Sequence, residues 1–350
     1  MDNQPDTSPT TPPARARRVP WSLLLTLGLA LLLLVLAFRG VDWGEMWRTL
    51  RGGNLAYLLV GFGFYTLAYL LRALRWRVLL SAEQTLPALT VFWATCAGYL
   101  GNNFLPARAG ELIRTALLAA RSRISASYVL ATALTERIVD AGLLVLIVLG
   151  ALSTMDNLPD WMPGTMRGMA LVGGVGLAGL FIAPRLHGWI LGIVERLPLP
   201  PRFNEKLRDL LEQFLFGMRS VQNPGRALSF LGITLVLWIF DGLAAMAIAA
   251  AFGLELSLLY ALLILAALGL SSALPSTPGY VGIYQFVAVT VMEPLGFTRD
   301  EALVFVIALQ AVIYAITIVW GGLGLWRLNM GIRNIRAVVR SSDAPPAPGQ

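Results

Sequence analysis

The sequence predicts an all-α polytopic integral membrane protein, with six full spans, two Pro/Gly-broken re-entrant hairpins, eight to ten helices in all, and an inverted repeat. Three observations carry this expectation. Of 350 residues, 57% are hydrophobic and only 13% are charged, too apolar for a soluble domain of this length. Apolar runs near the length of a membrane span recur along the chain. The basic residues gather between those runs, and only some threadings of the chain put nearly all of them on one side.

Taken in order, residues 1–19 are rich in Pro and Thr and read as a disordered cytoplasmic arm ending in Arg15, Arg17 and Arg18. The run Trp21–Phe38 is longer than a signal core and lacks a small-residue cleavage site, so it reads as a retained first span. The second span is Leu55–Leu71, followed by Arg72, Arg75 and Arg77 as cytoplasmic-side charges. Further spans are Ala126–Leu152, Met169–Ala183, Ala227–Phe252 and Ala302–Trp326. Trp21, Trp43, Tyr57 and Trp326 mark span ends, where amphipathic rings favour the interface.

Two more apolar stretches, Pro87–Leu105 and Leu256–Ala273, end in related strings, LPARAG (Leu105–Gly110) and LPSTPG (Leu274–Gly279). A single crossing at Pro87–Leu105 would put the basic loop Pro184–Arg226 outside, against the positive-inside rule. A turn back at Pro106 and Gly110, and a similar one at Pro275 and Gly279, places 21 of the 27 basic residues inside. Arg39, Arg48, Arg51, Arg167 and Arg299 then lie outside, and Arg137 lies within a span. Both termini become cytoplasmic, residues 328–350 forming the C-terminal tail. Charge parity does not separate a full crossing from a dip; the shared Leu-Pro-x-x-x-Gly signature favours re-entrant hairpins. Proline removes a donor and breaks the helix, which a membrane tolerates where protein buries the backbone or it lines a wet cavity. Matching breaks in two halves are the pattern that marks transporter sites.

Residues 185–226 form a cytoplasmic amphipathic segment. Phe203, Leu207, Leu210, Leu211, Phe214 and Leu215 recur at helical spacing between charges, as expected of a helix on anionic lipid.

The chemistry lies in the intramembrane charges. Glu136, Arg137 and Asp140 sit about ten residues into an apolar run, each costing about 2.5–3.5 kcal/mol at a span centre if unpaired. Glu136 and Asp140 share a helix face and require a cation, for which Arg108 or Arg114 is the expected source. The candidate headgroup site is therefore Arg108, Glu111, Arg114, Glu136, Arg137 and Asp140, with Asn102, Asn103, Asp241, Gln285 and Gln310 as further polar groups. Guanidinium matches phosphate bidentately and keeps its charge, so such a pocket suits an anionic or zwitterionic phospholipid. The competing reading is a static network that fixes helix register.

The net charge of +7 does not imply nucleic acid, because the charges follow topology. Cys96 and His187 are each the only residue of their type, which excludes an intrachain disulfide and a Cys/His metal cluster. No nucleotide-binding motif is present, and no cofactor is expected.

The strings GNNFLPARAGELIR (Gly101–Arg114), TERIVD (Thr135–Asp140), Trp-x-x-Asp (Trp238–Asp241) and LPSTPGYVGIYQ (Leu274–Gln285) resemble the family named after the transmembrane region of lysylphosphatidylglycerol synthase. The resemblance covers about Trp21–Arg327 and implies a flippase-like domain over 20–327 of a bacterial inner membrane, moving lipid between leaflets. Arg108, Glu111 and Arg114 match its first motif and Glu136, Arg137 and Asp140 its second. Pro275, Pro278, Gly279 and Gly282 match its later turn. The chain departs from the family at Gln285, where Glu is usual, which puts a shared substrate or energy source in doubt. Two-part relatives carry a following aminoacyl-transferase domain; a stand-alone form is not expected to make lysyl-lipid, so a transporter rather than an enzyme is implied. The alternatives are a scaffold or partner of a lipid-synthesis enzyme, and a lipid-modifying transferase.

Overall fold

The computed structural model describes residues 21–104, 110–153, 182–198, 200–272 and 278–328, together with 164, 168, 171, 173–176 and 178–179. The expected arm 1–19, the break residues Pro106 and Pro275, the site residue Arg108 and the tail beyond 328 lie outside the described residues.

Among those residues every regular element is helical and there is no strand. The helices are α1 (Trp21–Ala37), α2 (Trp43–Arg51), α3 (Leu55–Leu80), α4 (Ala88–Phe104), α5 (Gly110–Ala119) and α6 (Ala126–Leu152). They continue with α7 (His187–Glu195), α8 (Pro201–Met218), α9 (Pro224–Ala250), α10 (Leu258–Ser271), α11 (Ile283–Met292) and α12 (Arg299–Arg327). By length and composition α3, α9 and α12 can each cross a membrane. Helix α6 is as long, at 27 residues, but carries three charges. The protein is a multi-pass helical membrane protein.

Local chemistry fixes the helix starts. Asp42, Asn54, Asn223 and Ser257 each accept from a backbone N–H of the first turn of α2, α3, α9 and α10. Thr298 and Glu301 form a reciprocal capping box at α12. The stretch expected as an outer loop after the first span thus contains the capped helix α2.

Helices α3 and α9 run antiparallel in close contact. Asn54 N–H donates to the Ala251 carbonyl at 2.8 Å, Phe64 meets Phe240, and Arg75 lies over Phe230. Around this pair the neighbours interchange. Helix α4 packs on α3, α5 and α12; α10 packs on α9, α11 and α6. Helix α5 packs on α6 as α11 packs on α12, and α3 touches α6 as α9 touches α12. Exchanging α3–α6 with α9–α12 therefore preserves this set of contacts.

The polar ends also sort into two groups. At one end Arg299 donates to the Arg39 carbonyl at 2.7 Å and pairs with Glu293. At the other, Gln84 accepts from Arg123 N–H at 3.1 Å, and Arg121 donates to the Leu328 carbonyl. The Gln84–Arg123 bond brings the entry to α4 and the exit from α5 to the same end.

Residues 185–226 divide between two environments. Leu215 and Met218 of α8 pack with Leu79 of α3 and Val139 of α6, and Phe216 meets Tyr128 at 5.4 Å. Phe203 and Leu210 stay exposed, as does Trp189 of α7. The apolar stripe is thus split between a docked C-terminal half and an uncovered N-terminal half.

Candidate functional site

Helix α6 places Glu136 and Asp140 four residues apart on one face, where two carboxylates alone would repel. Arg75 of α3 meets both. Its Nε donates to Glu136 Oε1 at 3.3 Å, and its two terminal nitrogens donate to the Asp140 oxygens at 2.5 and 2.9 Å. Helix α5 presents Glu111 and Arg114 three residues apart, and their side chains pair at 2.5 Å. Arg114 Nη1 then donates to Glu136 Oε2 at 3.0 Å, while its guanidinium lies over the Trp76 ring at 4.4 Å. Arg137 closes the chain by donating to Glu111 Oε1 at 2.7 Å through Nη2 and 3.2 Å through Nε.

The result is a continuous network of three guanidiniums (Arg75, Arg114, Arg137) and three carboxylates (Glu111, Glu136, Asp140). Its centre is dry: Arg75 and Glu136 are each 2% exposed. Its edge is open, since the Arg137 side chain is 39% exposed. Like charges are interleaved with opposite ones, so no ion faces the apolar interior unpaired. Arg114 Nη2 is buried without a partner.

The close approach of α5 to α4 requires Gly110. A Cβ there would lie 1.8 Å from the Gly98 carbonyl oxygen and 2.6 Å from Asn102 Oδ1. That approach lets Asn102 Nδ2 donate to Glu111 Oε1 at 3.3 Å.

A further charge pair lies between the two halves. Arg72 of α3 and Asp241 of α9 form a bidentate bridge at 3.2 and 2.5 Å. Arg72 also faces the rings of Tyr69 and Tyr99 at 5.8 and 5.9 Å. Tyr69 shares a hydrogen bond with Thr317 at 2.9 Å, and Asn103 Nδ2 donates to the same Thr317 hydroxyl at 3.0 Å.

Gln285 sits elsewhere. Its Nε2 donates to Gln310 Oε1 at 2.5 Å, and its Oε1 accepts from Gly282 N–H at 2.8 Å. Gln310 and Tyr314 both donate to the Gly279 carbonyl, at 3.0 and 2.5 Å. Gly279 and Gly282 have φ of +76° and +93°, so the turn that opens with Pro278 depends on glycine. No hydrogen bond joins this amide ladder to the ionic network among the described residues.

Of the expected cluster, Glu111, Arg114, Glu136, Arg137 and Asp140 come together, while Arg108 lies outside the described residues. Arg114 meets Glu136 as expected, and Arg75 is a further cation that bridges Glu136 and Asp140. Arg72 and Arg75, read from sequence as cytoplasmic-side charges, are ion-pair partners within α3, which continues through buried Trp76, Leu79 and Leu80. The signal was the resumption of apolar residues in VLL after Arg77.

Outside the network, α3 and Trp320 of α12 line a shallow, open surface groove of about 550 Å³, with apolar residues from Val60 to Leu67. Thr66 is its polar lining residue; its hydroxyl donates to the Phe62 carbonyl and accepts from Trp320 Nε1.

The family described as the lysylphosphatidylglycerol synthase TM region matches residues 23–321. The chain belongs to this family. A protein of Haloferax volcanii named glycosyltransferase AglD is 26% identical over 366 aligned positions, 95% of this chain and 58% of the relative. The chain thus spans little more than half the length of that relative. A UPF0104 membrane protein of Methanothermobacter thermautotrophicus is 25% identical over 75% of this chain and 81% of its own. Another, from Methanocaldococcus jannaschii, is 22% identical over 66% and 95%. No solved structure matches.

Proposed function

We propose that this membrane protein translocates phospholipid between leaflets, holding the headgroup at the ionic network while the chains stay in lipid. The observation that carries this is the continuity of the network from dry Glu136 through Glu111 to part-exposed Arg137. Arg114, with an unpaired nitrogen, and Arg108 are the phosphate ligands, Arg137 is the entry cation, and Glu136 and Asp140 balance and release them. Helices α4–α5 and α10–α11 act as re-entrant hairpins of an inverted repeat, as the interchanging neighbours support. In this reading α1, α3, α6, the apolar run Met169–Ala183, α9 and α12 cross fully, with both termini cytoplasmic in a bacterial inner membrane. The polar end bearing Arg121 and Arg123 is the cytoplasmic one.

The test is reconstitution of the full chain into liposomes with chain-labelled phospholipids, comparing wild type with Arg137→Gln and Glu136→Gln. Label movement in wild type and its loss in both variants, at matched folding, is the expected result. No movement by wild type under any gradient would refute it.

A second reading has one specific support, the curated relative named a glycosyltransferase. Here the membrane domain serves a lipid-synthesis or lipid-modifying transferase as its partner, or acts as one. It predicts that deletion in cells changes which lipid species are present rather than their sidedness.

A further inference from the structure

Arg72 and Asp241 are 169 residues apart, the same interval that separates Leu55 and Pro224, the first residues of α3 and α9. They occupy equivalent positions in two antiparallel helices related by the contact exchange. Tyr69 and Trp238 are separated by the same interval, so each half contributes aromatic-x-x-charge at this level. The ion pair therefore lies where the two halves meet. It is also the only ion pair joining them among the described residues; the other buried pairs are confined to α3, α5 and α6.

Its surroundings have unmet bonding capacity. Tyr65 lies two turns from Arg72 on α3, is 4% exposed, and its hydroxyl has no partner. Trp238 Nε1, one turn from Asp241, is likewise buried without a partner. Both are donors suited to an acceptor oxygen. Tyr69 and Tyr99 lie tilted against each other at 5.0 Å and offer ring faces already occupied by a cation, that of Arg72. Five residues separate Arg72 from Leu67 at the end of the apolar groove, about 7–8 Å along the helix.

We infer that Arg72 and Asp241 form an exchange site for a zwitterionic phospholipid headgroup, a phosphate esterified to an amino alcohol. This deepens the proposed translocation and rests on it. As the pair opens, Arg72 passes to the phosphate, whose free oxygens take the Tyr65 and Trp238 donors. Asp241 passes to the ammonium, and the vacated tyrosine faces complete a cation site. One cation and one anion are replaced by one anion and one cation, so neither buried partner is left uncompensated. A headgroup with net charge would leave one of them so.

The test uses the full chain in liposomes with chain-labelled phosphatidylethanolamine, phosphatidylglycerol and a trimethylammonium lipid, alongside native mass spectrometry of the detergent-solubilised protein with each. Wild type is expected to move and retain phosphatidylethanolamine at least about tenfold better than the charged lipids. Asp241→Asn should shift preference to phosphatidylglycerol, and Arg72→Gln to the cationic lipid. Since either single change can impair folding, Arg72→Asp with Asp241→Arg is the second variant; it keeps both charges at equivalent positions and should restore the zwitterion preference. Glycerophosphoethanolamine, the headgroup without chains, should compete at least about tenfold less well, whereas equal competition would overturn the assignment to lipid. Lipid movement with a headgroup ratio unchanged in the folded variants overturns this site and leaves translocation standing. Selective retention without movement overturns translocation and leaves the site; neither movement nor selective retention overturns both.

Discussion

On α5 and α6, Glu111 meets Arg137 at 2.7 Å; on α11 and α12, Gln285 meets Gln310 at 2.5 Å. Arg137 and Gln310 are separated by the interval between the first residues of α6 and α12, so the two contacts join corresponding helices. The first is one link in a six-ion network reaching α3. The second is a neutral ladder that ends on the Gly279 carbonyl and pins a glycine turn. The difference teaches a division of labour. At these corresponding contacts, interleaved ions join the helices of one half, while amides with both ends satisfied hold the backbone of the other.

Breaking that comparison starts with its most buried member. Glu136→Ala removes the shared acceptor of Arg75 and Arg114 and should cost about 3–5 kcal/mol, read as unfolding in detergent micelles. Gln310→Ala, the matching cut in the neutral half, should cost about 1–3 kcal/mol in the same assay, since it orphans neutral groups. Equal costs would remove the distinction between the halves.

A steric cut comes next. Gly110→Ala forces a Cβ against the Gly98 backbone oxygen and should cost about 1–3 kcal/mol or more by spreading α4 from α5. A disulfide-trapping rate between cysteines placed on α4 and α5 should fall with it. An unaffected rate would show that the hairpin tolerates separation.

The comparison can also be sharpened by importing charge. Gln285→Glu alone should destabilise the neutral half, and adding Gln310→Arg should recover about 1–3 kcal/mol as coupling in a double-mutant cycle. Coupling near zero would mean that the two contacts are not interchangeable. The smallest effect belongs to an exposed pair. Arg208 and Glu195 of α8 and α7 pair at 3.0 Å with both side chains about half exposed, and Arg208→Ala should change stability by less than about 1 kcal/mol.

Much of the arrangement was legible before any coordinates. Proline and glycine in LPARAG and LPSTPG require broken helices, and α4, α5, α10 and α11 are correspondingly short. Three charges in α6 demanded partners, and Glu111 and Arg114 supply some. What misled was the end of α3. A positive-inside count assigns each Arg by the loop nearest to it, and the apolar run stops at Leu71. The helix goes on because Trp76, Leu79 and Leu80 are buried against neighbours distant in sequence, which carries Arg72 and Arg75 inward. The Arg72–Asp241 pair was hidden for a related reason: it becomes visible only when the register of α3 against α9 is known.

The central claim is that the open edge of the ionic network handles lipid. Arg137→Gln tests it most directly, because this side chain is the most exposed of the network and contributes least to its dry centre. In liposomes, this variant should keep wild-type stability to within about 1 kcal/mol while lipid translocation falls at least about tenfold. Translocation at the wild-type rate with a correctly folded Arg137→Gln protein would contradict the account and leave the network as scaffolding.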